Sequence, residues 1–325
     1  KFLYYVPRIG MQGMLTMRPS LAKNCGNIGL WFPEIIRHIW HVKGQTNATP
    51  FNTRSPTRIN HFLTLCTKTM PGRVWARSED NSLEWMSMRG DQLEDAIQVM
   101  RESFFPNESI SKALRLNERR PRASAQTERI ARISANDGVS IVAVEVATGR
   151  VVGVAFNKIQ VPTPPGEKGF LDKLREEKDH DPSFVEVINY LTEVEGRVDV
   201  FSHYGVTCVL EHMFLATLTE FYGRGIGRRL VKATEDVSKA LARGEDVIAP
   251  LNEDTNPWKG GPPPRVQAIM AIFTSAISQK IGNSLGWDKL AVVSHDELFF
   301  EGKPYSYRIG PDHPSSDLMG KKVAV

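Results

Sequence analysis

The stretch that most constrains this 325-residue chain is residues 214–230, with the sequence FLATLTEFYGRGIGRRL. An apolar run meets a glycine-rich turn and then a basic, helix-forming sequence, which predicts a strand, a tight turn and a helix in that order. Gly223, Gly225 and Gly227 carry no Cβ, so the backbone there can approach a ligand closely. The first N–H groups of the following helix have no acceptor within that helix. The turn is therefore suited to hold a phosphate or pyrophosphate.

The spacing of these glycines excludes two common nucleotide-binding motifs. A P-loop needs GxxxxGK followed by Ser or Thr, which this turn lacks. A dinucleotide-binding turn needs GxGxxG, whereas the glycines here run GxGxG. Three glycines can also form a turn that binds nothing, and the pattern alone does not decide between that turn and a phosphate site.

Charge is distributed unevenly along the chain, although the net charge is only +4. Residues 1–78 hold four Lys and seven Arg against the single acid Glu34, a net charge of +10, so the remainder carries −6. We interpret 1–78 as a basic, disordered extension or leader, and a mitochondrial transit peptide is the alternative. Without such a peptide we expect a cytoplasmic protein. The acidic remainder argues against a general nucleic-acid surface.

The cysteines and the apolar runs exclude further classes. Cys25, Cys66 and Cys208 lie far apart, and no CxxC or Cys/His ligand spacing occurs, so neither a disulfide framework nor a metal site is expected. No apolar run approaches the roughly 20 residues that span a bilayer, so no membrane span is expected. We expect a monomer.

Regular elements are predicted from residue 79 onward. The strands are predicted at 83–88, 140–146, 151–159, 208–217, 268–273, 289–294 and 305–309. The helices are predicted at 91–104, 108–116, 183–198, 225–243 and 275–285. Residues 160–181 and 250–264 are predicted surface loops, and 311–325 a C-terminal tail. This order predicts one α/β domain over 79–310 with a single mixed sheet.

The glycine-rich turn resembles the acyl-CoA pyrophosphate loop of the GNAT acetyltransferase superfamily. That loop has Gln or Arg, two residues, Gly, one residue, then Gly or Ala; YGRGIG at 222–227 matches it except that Tyr222 replaces Gln or Arg. The resemblance implies a twisted mixed sheet flanked by helices, in which strands equivalent to 211–218 and 268–273 splay apart to hold acetyl-CoA. It implies a donor site made by Met213, Phe214, Leu215, Tyr222, Gly223, Arg224, Gly225, Ile226, Gly227 and Arg228.

Further segments resemble the insect arylalkylamine and dopamine N-acetyltransferase branch of that superfamily. FFPNESIS at 104–111 is similar to its FF-x-x-E-P-L-N segment, so Glu108 falls on the catalytic glutamate, while Ser109 and Ser111 replace Pro and Asn. The long connection 185–206 into the central strand has the same layout. Altogether the resemblance covers roughly residues 82 to 310.

The segment TSAISQKIGNSLGW at 274–287 is similar to the S-S-x-x-S…LGF segment of the same branch. Ser275 and Ser278 fall on serines with substrate or proton-transfer roles in that family. Many other members place a Tyr acid later on this helix, where this chain has Gly282.

The resemblance implies an acetyl-CoA-dependent N-acetyltransferase that acts on a small primary amine by direct transfer. Glu108 would be the general base, because a carboxylate near apolar groups can take a proton from an amine; Glu211 is a competitor. Ser278, or else Ser275, would protonate the CoA thiolate. Glu108 can equally be an ordinary carboxylate at a helix N-terminus, and Ser275 a helix cap. A protein lysine or N-terminal acetyltransferase and a non-catalytic CoA-binding protein remain the alternatives.

Overall fold

The computed structural model describes residues 72–116, 120–252 and 254–324. Its strands are β1 Val74–Arg77, β2 Leu83–Ser87, β3 Ile141–Glu145, β4 Val151–Gln160, β5 Val209–Thr217, β6 Ala268–Phe273, β7 Asp288–Ser294, β8 Phe299–Phe300, β9 Lys303–Pro304 and β10 Ser315–Lys322. One mixed sheet has the order β1-β2-β3-β4-β5-β6-β10-β7, and β8 and β9 form a separate hairpin. Neighbouring strands of the large sheet are antiparallel, except for the parallel pair β5 and β6. The predicted mixed sheet is confirmed.

Helices cover both faces of this sheet. They are α1 Leu93–Val99, α2 Ser109–Ala113, α3 Pro121–Ala135, α4 Phe170–Arg175, α5 Pro182–Glu195, α6 Val200–Tyr204, α7 Ile226–Ala242, α8 Ala276–Ser284 and α9 Ser306–Ile309. The chain continues from α1 through a π-helical turn, Met100–Phe104, and a short helical segment, Phe105–Asn107. Within the described parts of the chain, no helix is long and apolar enough to cross a membrane.

The predicted tail at 311–325 is wrong over residues 315–322. This segment forms β10, which pairs with β6 on one side and with β7 on the other. Its sequence SSDLMGKK has a short apolar run, and its polar residues lie in the interior because they have partners there. Buried Ser316 bonds to Tyr190 and His295. Buried Asp317 forms an ion pair with Lys289, in which Oδ2 and Nζ are 2.5 Å apart.

Two elements of secondary structure differ from the predictions. Residues 305–309, predicted as a strand, contain the helix α9. The long helix α3 was not predicted, because it buries small and hydroxyl-bearing side chains rather than a continuous apolar stripe. Thr127 Oγ1 and Ser134 Oγ donate to the carbonyls of Ala123 and Ile130 at 3.0 and 2.9 Å, which satisfies these hydroxyls inside the helix itself.

The predicted domain start at residue 79 is also too late. β1 begins at Val74 and pairs with β2. The basic residues that suggested an unfolded segment have acidic partners, since Arg73 pairs with Glu245 and Arg77 with Glu84. The rest of the predicted N-terminal extension, residues 1–71, lies outside the described residues.

The two central strands separate partway along their length. β5 and β6 pair only from Val209 opposite Ala268 to His212 opposite Ala271, and β5 then continues to Thr217 alone on that side. On its other side β5 stays with β4, but Met213 is skipped in the register between His212 and Phe214. This bulge bends the strand. The bend and the lost pairing open the gap between β5 and β6 that the resemblance implied.

Asn157 of β4 fixes the bulge in place. It is fully buried, and its Nδ2 donates to Val139 O at 2.8 Å and to Thr234 Oγ1 of α7 at 3.2 Å. Its Oδ1 can only accept, so the contact of 2.9 Å with His212 Nδ1 requires a proton on that nitrogen. His212 Nε2 is buried without a hydrogen-bond partner among the described residues. Burial lowers the pKa of His212 to about 4, so its imidazole is neutral at neutral pH.

Helix α8 packs closely on the sheet at Gly282. A Cβ at this position would lie 2.7 Å from Phe273 Cε2 and 2.8 Å from Met319 Sδ. A tyrosine at position 282 would therefore collide with the sheet in this chain.

We expect the stability of the protein to fall with acid because of His212. A buried histidine with a pKa of about 4 must lose its proton to fold, whereas in the unfolded chain it titrates near 6.5. The contribution of His212 to the free energy of unfolding is fully present above pH 6.5. It falls by about 3 kcal/mol as the pH is lowered to 4. Denaturant unfolding of the wild type and His212→Gln between pH 4 and 7 measures it.

The variant should lose most of this pH dependence, because glutamine does not titrate and can still donate to Asn157. His203→Gln, which changes an exposed histidine, is the control and should keep the wild-type slope. An unchanged slope in His212→Gln would contradict the assignment.

Candidate active site

The glycine-rich turn lies at the open end of the gap. β5 leads through a 3-10 turn, Thr219–Phe221, to α7, which begins at Ile226. Gly223 and Gly225 have φ angles of +77° and +72°, the left-handed region that favours glycine. Among the described residues no atom lies within 4 Å of the position that a Cβ of either glycine would take. The turn therefore leaves open space directly over its backbone.

The N-terminus of α7 points its free donors at this space. The first backbone bond of the helix runs from Arg229 N to Gly225 O at 3.1 Å, so the N–H groups of Ile226, Gly227 and Arg228 precede the helical pattern. The Ile226 side chain is buried, and its carbonyl accepts a bond from Trp85 Nε1 at 3.4 Å. The N–H group of Ile226 is thus available at the turn, while its side chain packs in the core and fixes the start of the helix.

Basic side chains surround the turn. Arg224 lies over the ring of Phe221, 5.2 Å from its centre, and donates to Ser82 Oγ at 3.2 Å. Arg228 donates to Ser284 Oγ at 3.2 Å, and Arg229 is exposed beside it. Together with the positive end of the helix dipole, these three cations favour an anion at the turn.

Tyr222 ties the turn to the end of α1. Its hydroxyl lies 3.0 Å from Ser103 Oγ, which donates to Thr217 O at 2.5 Å and therefore accepts from Tyr222. Ser103 is buried in the π-helical turn that continues α1, while Tyr222 is 56% exposed. A tyrosine in place of Gln or Arg thus links the turn to the segment that carries Glu108.

The three predicted pantetheine-binding residues of β5 differ in what they offer the gap. Alternate residues of an antiparallel strand direct their backbone groups to opposite sides. Leu218 N bonds to Val152 O, so the backbone groups of Leu218 face β4. Leu215 lies three residues earlier and therefore directs its N–H and C=O to the opposite side, toward the gap. Met213 lies in the bulge. Phe214 pairs with Phe156 of β4. Its buried ring packs edge-on against that of Phe104, with the ring centres 5.4 Å apart, so the Phe214 side chain belongs to the core beneath the gap.

Glu108 is both a helix cap and a partly exposed carboxylate. As the N-cap of α2, its Oε1 accepts from Ile110 N at 2.9 Å and its Oε2 from Ser111 N at 2.7 Å. Thr274 Oγ1 also donates to Oε1, at 2.6 Å. A carboxylate has about four acceptor positions, so these bonds leave one on Oε2 for a further donor.

Thr274 brings the distant candidates into one place. It follows β6 directly and precedes Ser275, the N-cap of α8, so Glu108 lies beside the serines. Ser275 and Ser278 form a reciprocal cap: each backbone N–H donates to the other hydroxyl, at 3.2 and 3.3 Å, and the two Oγ atoms are 3.0 Å apart. Sequence reasoning missed Thr274, although a polar residue at the end of an apolar strand was a visible signal.

Glu211, the competing base, lies away from the opening. It is buried and pairs in register with Met270, where β5 and β6 are still joined. Gln160 Nε2 donates to its Oε2 at 2.7 Å, and Glu195 is its carboxyl neighbour. Burial raises the pKa values of both Glu211 and Glu195. The geometry favours Glu108 as the carboxylate at the gap.

Metal-ligating side chains are scattered. Over residues 72–116, 120–252 and 254–324, no group of three His, Cys, Asp or Glu side chains is arranged to hold a metal ion.

Solved structures of insect enzymes share this architecture. Arylalkylamine N-acetyltransferase 2 from Aedes aegypti is 22% identical, with a TM-score of 0.60, and the match covers 75% of this chain and 100% of that one. A polyamine N-acetyltransferase from Drosophila melanogaster that forms N-acetylagmatine is 14% identical, with a TM-score of 0.56 and coverage of 74% and 99%.

A third structure with this architecture is the C-terminal condensation domain of Ebony in complex with β-alanyl-dopamine, at 15% identity and a TM-score of 0.51, with coverage of 74% and 99%. No family model matches the chain, and no curated protein matches it. The split β5–β6 pair, the glycine turn and these neighbours together identify the fold of the chain as that of the GNAT N-acetyltransferases, in the form seen in the insect arylalkylamine N-acetyltransferases.

Proposed function

We propose that this protein is an acetyl-CoA-dependent N-acetyltransferase whose acceptor is a small primary amine, with Glu108 as the general base. The observation that carries the proposal is the gap between β5 and β6, which has an anion-binding turn at its open end and the Glu108–Thr274 pair beside the end of β6. The insect amine N-acetyltransferases of the same fold support it.

Acetyl-CoA fits the donor side of this gap by chemistry. Its pyrophosphate needs N–H donors and positive charge, which the start of α7 and Arg224, Arg228 and Arg229 supply. Its pantetheine amides need a strand edge, which β5 offers at Leu215, where it has no partner strand. An N–H group beside the bulge would polarise the thioester carbonyl as negative charge develops on its oxygen.

Glu108 suits the acceptor side. An alkylamine is mostly protonated at neutral pH, so it must lose a proton before it attacks the thioester. The remaining acceptor position on Glu108 Oε2 can take that proton, while the bonds from Ile110, Ser111 and Thr274 hold the carboxylate in place. The amine nitrogen then attacks the acetyl carbon, and the bond from this carbon to sulfur breaks.

The thiolate that leaves requires a proton. We take Ser278 as the donor. Its oxygen accepts the N–H of Ser275, but its hydrogen is directed at the carbonyl of Ser275 at 3.0 Å and can be redirected to the thiolate. Ser275 Oγ accepts the N–H of Ser278 as the cap of α8, so its first role is to hold the helix start.

Two other functions compete with this proposal. A protein lysine or N-terminal acetyltransferase would use the same donor site with a peptide as acceptor. A non-catalytic CoA-binding protein would keep the turn and lack turnover; the substitutions Tyr222, Ser109 and Ser111 motivate this alternative. The C-terminal condensation domain of Ebony has a similar fold, so the fold alone does not decide the reaction.

The full chain, incubated with acetyl-CoA and a panel of arylalkylamines, polyamines and lysine peptides, is expected to acetylate one class of small amine, as detected by mass spectrometry. Glu108→Gln keeps an oxygen acceptor for the cap of α2 but removes the base. It should lower kcat by about 10- to 1,000-fold, toward the usual range for loss of a general base, while acetyl-CoA binding is retained.

Asp199→Asn is the matched control for this variant. Asp199 caps α6 in the same way, accepting from Phe201 N and Ser202 N, but lies outside the site. Its kcat should stay within about twofold of the wild type. Full activity in Glu108→Gln would exclude Glu108 as the general base. If only the lysine peptides of the panel were acetylated, the acceptor would be a protein and not a small amine.

Gly225→Val should raise the KM for acetyl-CoA, by about 10-fold or more, because the new side chain fills the open space over the turn. Gly149→Val is a matched control, since Gly149 has the same φ of +72°, lies in the β3–β4 hairpin turn and also has open space around its Cβ position. Both variants carry the same backbone strain, and only the first should weaken CoA binding in calorimetry. Equal CoA affinity in the two variants would mean that the loop does not bind the donor.

A further inference from the structure

A second hydrogen-bonded cluster lies beside the Glu108–Thr274 pair. Tyr190 of α5 donates its hydroxyl hydrogen to Ser316 Oγ of β10 at 2.7 Å, and Ser316 Oγ lies 2.8 Å from His295 Nε2. His295 Nδ1 lies 2.7 Å from the carbonyl oxygen of His313. Tyr190, Ser316 and His295 are all buried. The proposed acetyl transfer described above uses none of them.

The direction of every hydrogen bond from Tyr190 to His313 is determined by its donors and acceptors. A carbonyl oxygen accepts, so His295 Nδ1 must carry the proton that is donated to His313, and Nε2 must be the acceptor. Ser316 therefore donates to Nε2 and accepts from Tyr190. The Tyr190 oxygen retains a free lone pair. A proton that reaches this oxygen can pass to His295 by the shift of two hydrogens, without rotation of any side chain.

Strand register places this chain next to Glu108. Phe273 of β6 pairs with Asp317 of β10, so the next residues, Thr274 and Ser316, lie opposite one another. Residues directly opposite in an antiparallel pair project to the same face, with Cβ atoms about 4.5–5.5 Å apart. Thr274 bonds to Glu108, and Ser316 bonds to Tyr190 and His295. The two clusters therefore adjoin on one face of the sheet.

The charges around His295 agree with this placement. Burial lowers the pKa of His295, which keeps it neutral and able to accept a proton, while Glu108, Asp296 and the bond to His313 act in the opposite direction. The imidazole of His313 lowers the pKa further. Burial also raises the pKa of Tyr190, and the charge of Glu108 adds to that rise. His313 is half-buried and Asp296 is exposed, while His295 itself is fully buried.

We propose that Tyr190, Ser316 and His295 form a proton relay that carries away the proton taken from the acceptor amine by Glu108. The inference rests on the proposed function. It assigns Tyr190, Ser316 and His295 as positioning residues, since they act through Glu108 and do not contact the acceptor.

The ammonium of the acceptor gives a proton to Glu108 Oε2, and one water molecule carries it from there to the Tyr190 oxygen. The hydrogen of Tyr190 moves to Ser316 Oγ, and that of Ser316 moves to His295 Nε2. Glu108 is again a carboxylate, and His295 becomes an imidazolium that keeps its Nδ1–H bond to His313. It holds the proton until the products leave, and the proton then returns along the same hydrogen bonds to water in the open site. The second amine proton is left for the CoA thiolate.

The test uses the full chain with Tyr190→Phe, which removes one hydroxyl and keeps the buried ring. Tyr305→Phe is the matched control, because Tyr305 is an equally buried tyrosine with its ring 6.3 Å from that of Tyr190 and its hydroxyl bonded to Glu186 Oε1 at 2.8 Å, outside the relay. At pH 7 we expect kcat/KM to fall about 10-fold in Tyr190→Phe and less than about twofold in Tyr305→Phe, a smaller loss than removal of the base itself.

The pH profile separates a relay from a structural role. The acceptor carries its extra proton below its own pKa, near 10 for an alkylamine, and has none to export above it. The fall in kcat/KM that Tyr190→Phe causes relative to the wild type should therefore become smaller as the pH rises from 7 to about 10. A loss that stays constant over this range, or an equal loss in Tyr305→Phe, would overturn the relay.

A titration without turnover separates this proposal from the proposed function. Nuclear magnetic resonance of the ¹⁵N-labelled histidines in the full chain should show that Glu108→Gln lowers the pKa of His295, because a negative charge beside the relay is removed. An unchanged His295 titration overturns the relay even if the protein acetylates amines. If His295 responds but no amine is acetylated, the proposed function fails, and with it the role of the relay in acetyl transfer.

Discussion

The hydrogen bonds of one buried amide determine where the central sheet opens. Asn157 joins β4 to β5 through His212, to the segment before β3 through Val139 and to α7 through Thr234. His212 is also the last residue of β5 that pairs beside β6. The bulge, the start of the gap and the position of α7 are thus held by the same side chain. Replacing it with an apolar residue would leave His212 without a partner on either nitrogen.

The sequence predicts those parts of the site that depend on local backbone requirements. The glycine turn is one: a tight turn was predicted from its glycines, and Gly223 and Gly225 adopt the positive φ angles that glycine tolerates. The start of α8 is another, since Ser275 and Ser278 cap it within four residues of sequence. Both predictions needed only neighbouring residues, and the strands and helices around them agree with the periodicity of their sequences.

Contacts between distant segments could not be predicted in this way. Thr274 acquires its importance from Glu108, which lies 166 residues away in the sequence. The strand β10 is polar in sequence, and its burial depends on partners in α5 and β7. The same holds for the proposed relay, since Tyr190, His295 and Ser316 come from three separate segments of the sequence. Glu108 caps α2, which is one of the two interpretations of its sequence position, and its bond to Thr274 also holds it at the end of β6.

The insertion of β10 between β6 and β7 affects how the chain can be synthesised. β6, with the sequence AIMAIF, leaves the ribosome well before residues 315–322, and until then one of its edges has no partner. An apolar strand with an open edge is a template for aggregation. Until β10 pairs with it, this edge of β6 is exposed in the nascent chain. The gap, one wall of which is β6, has both strand neighbours of β6 in place only after residues 315–322 have been made.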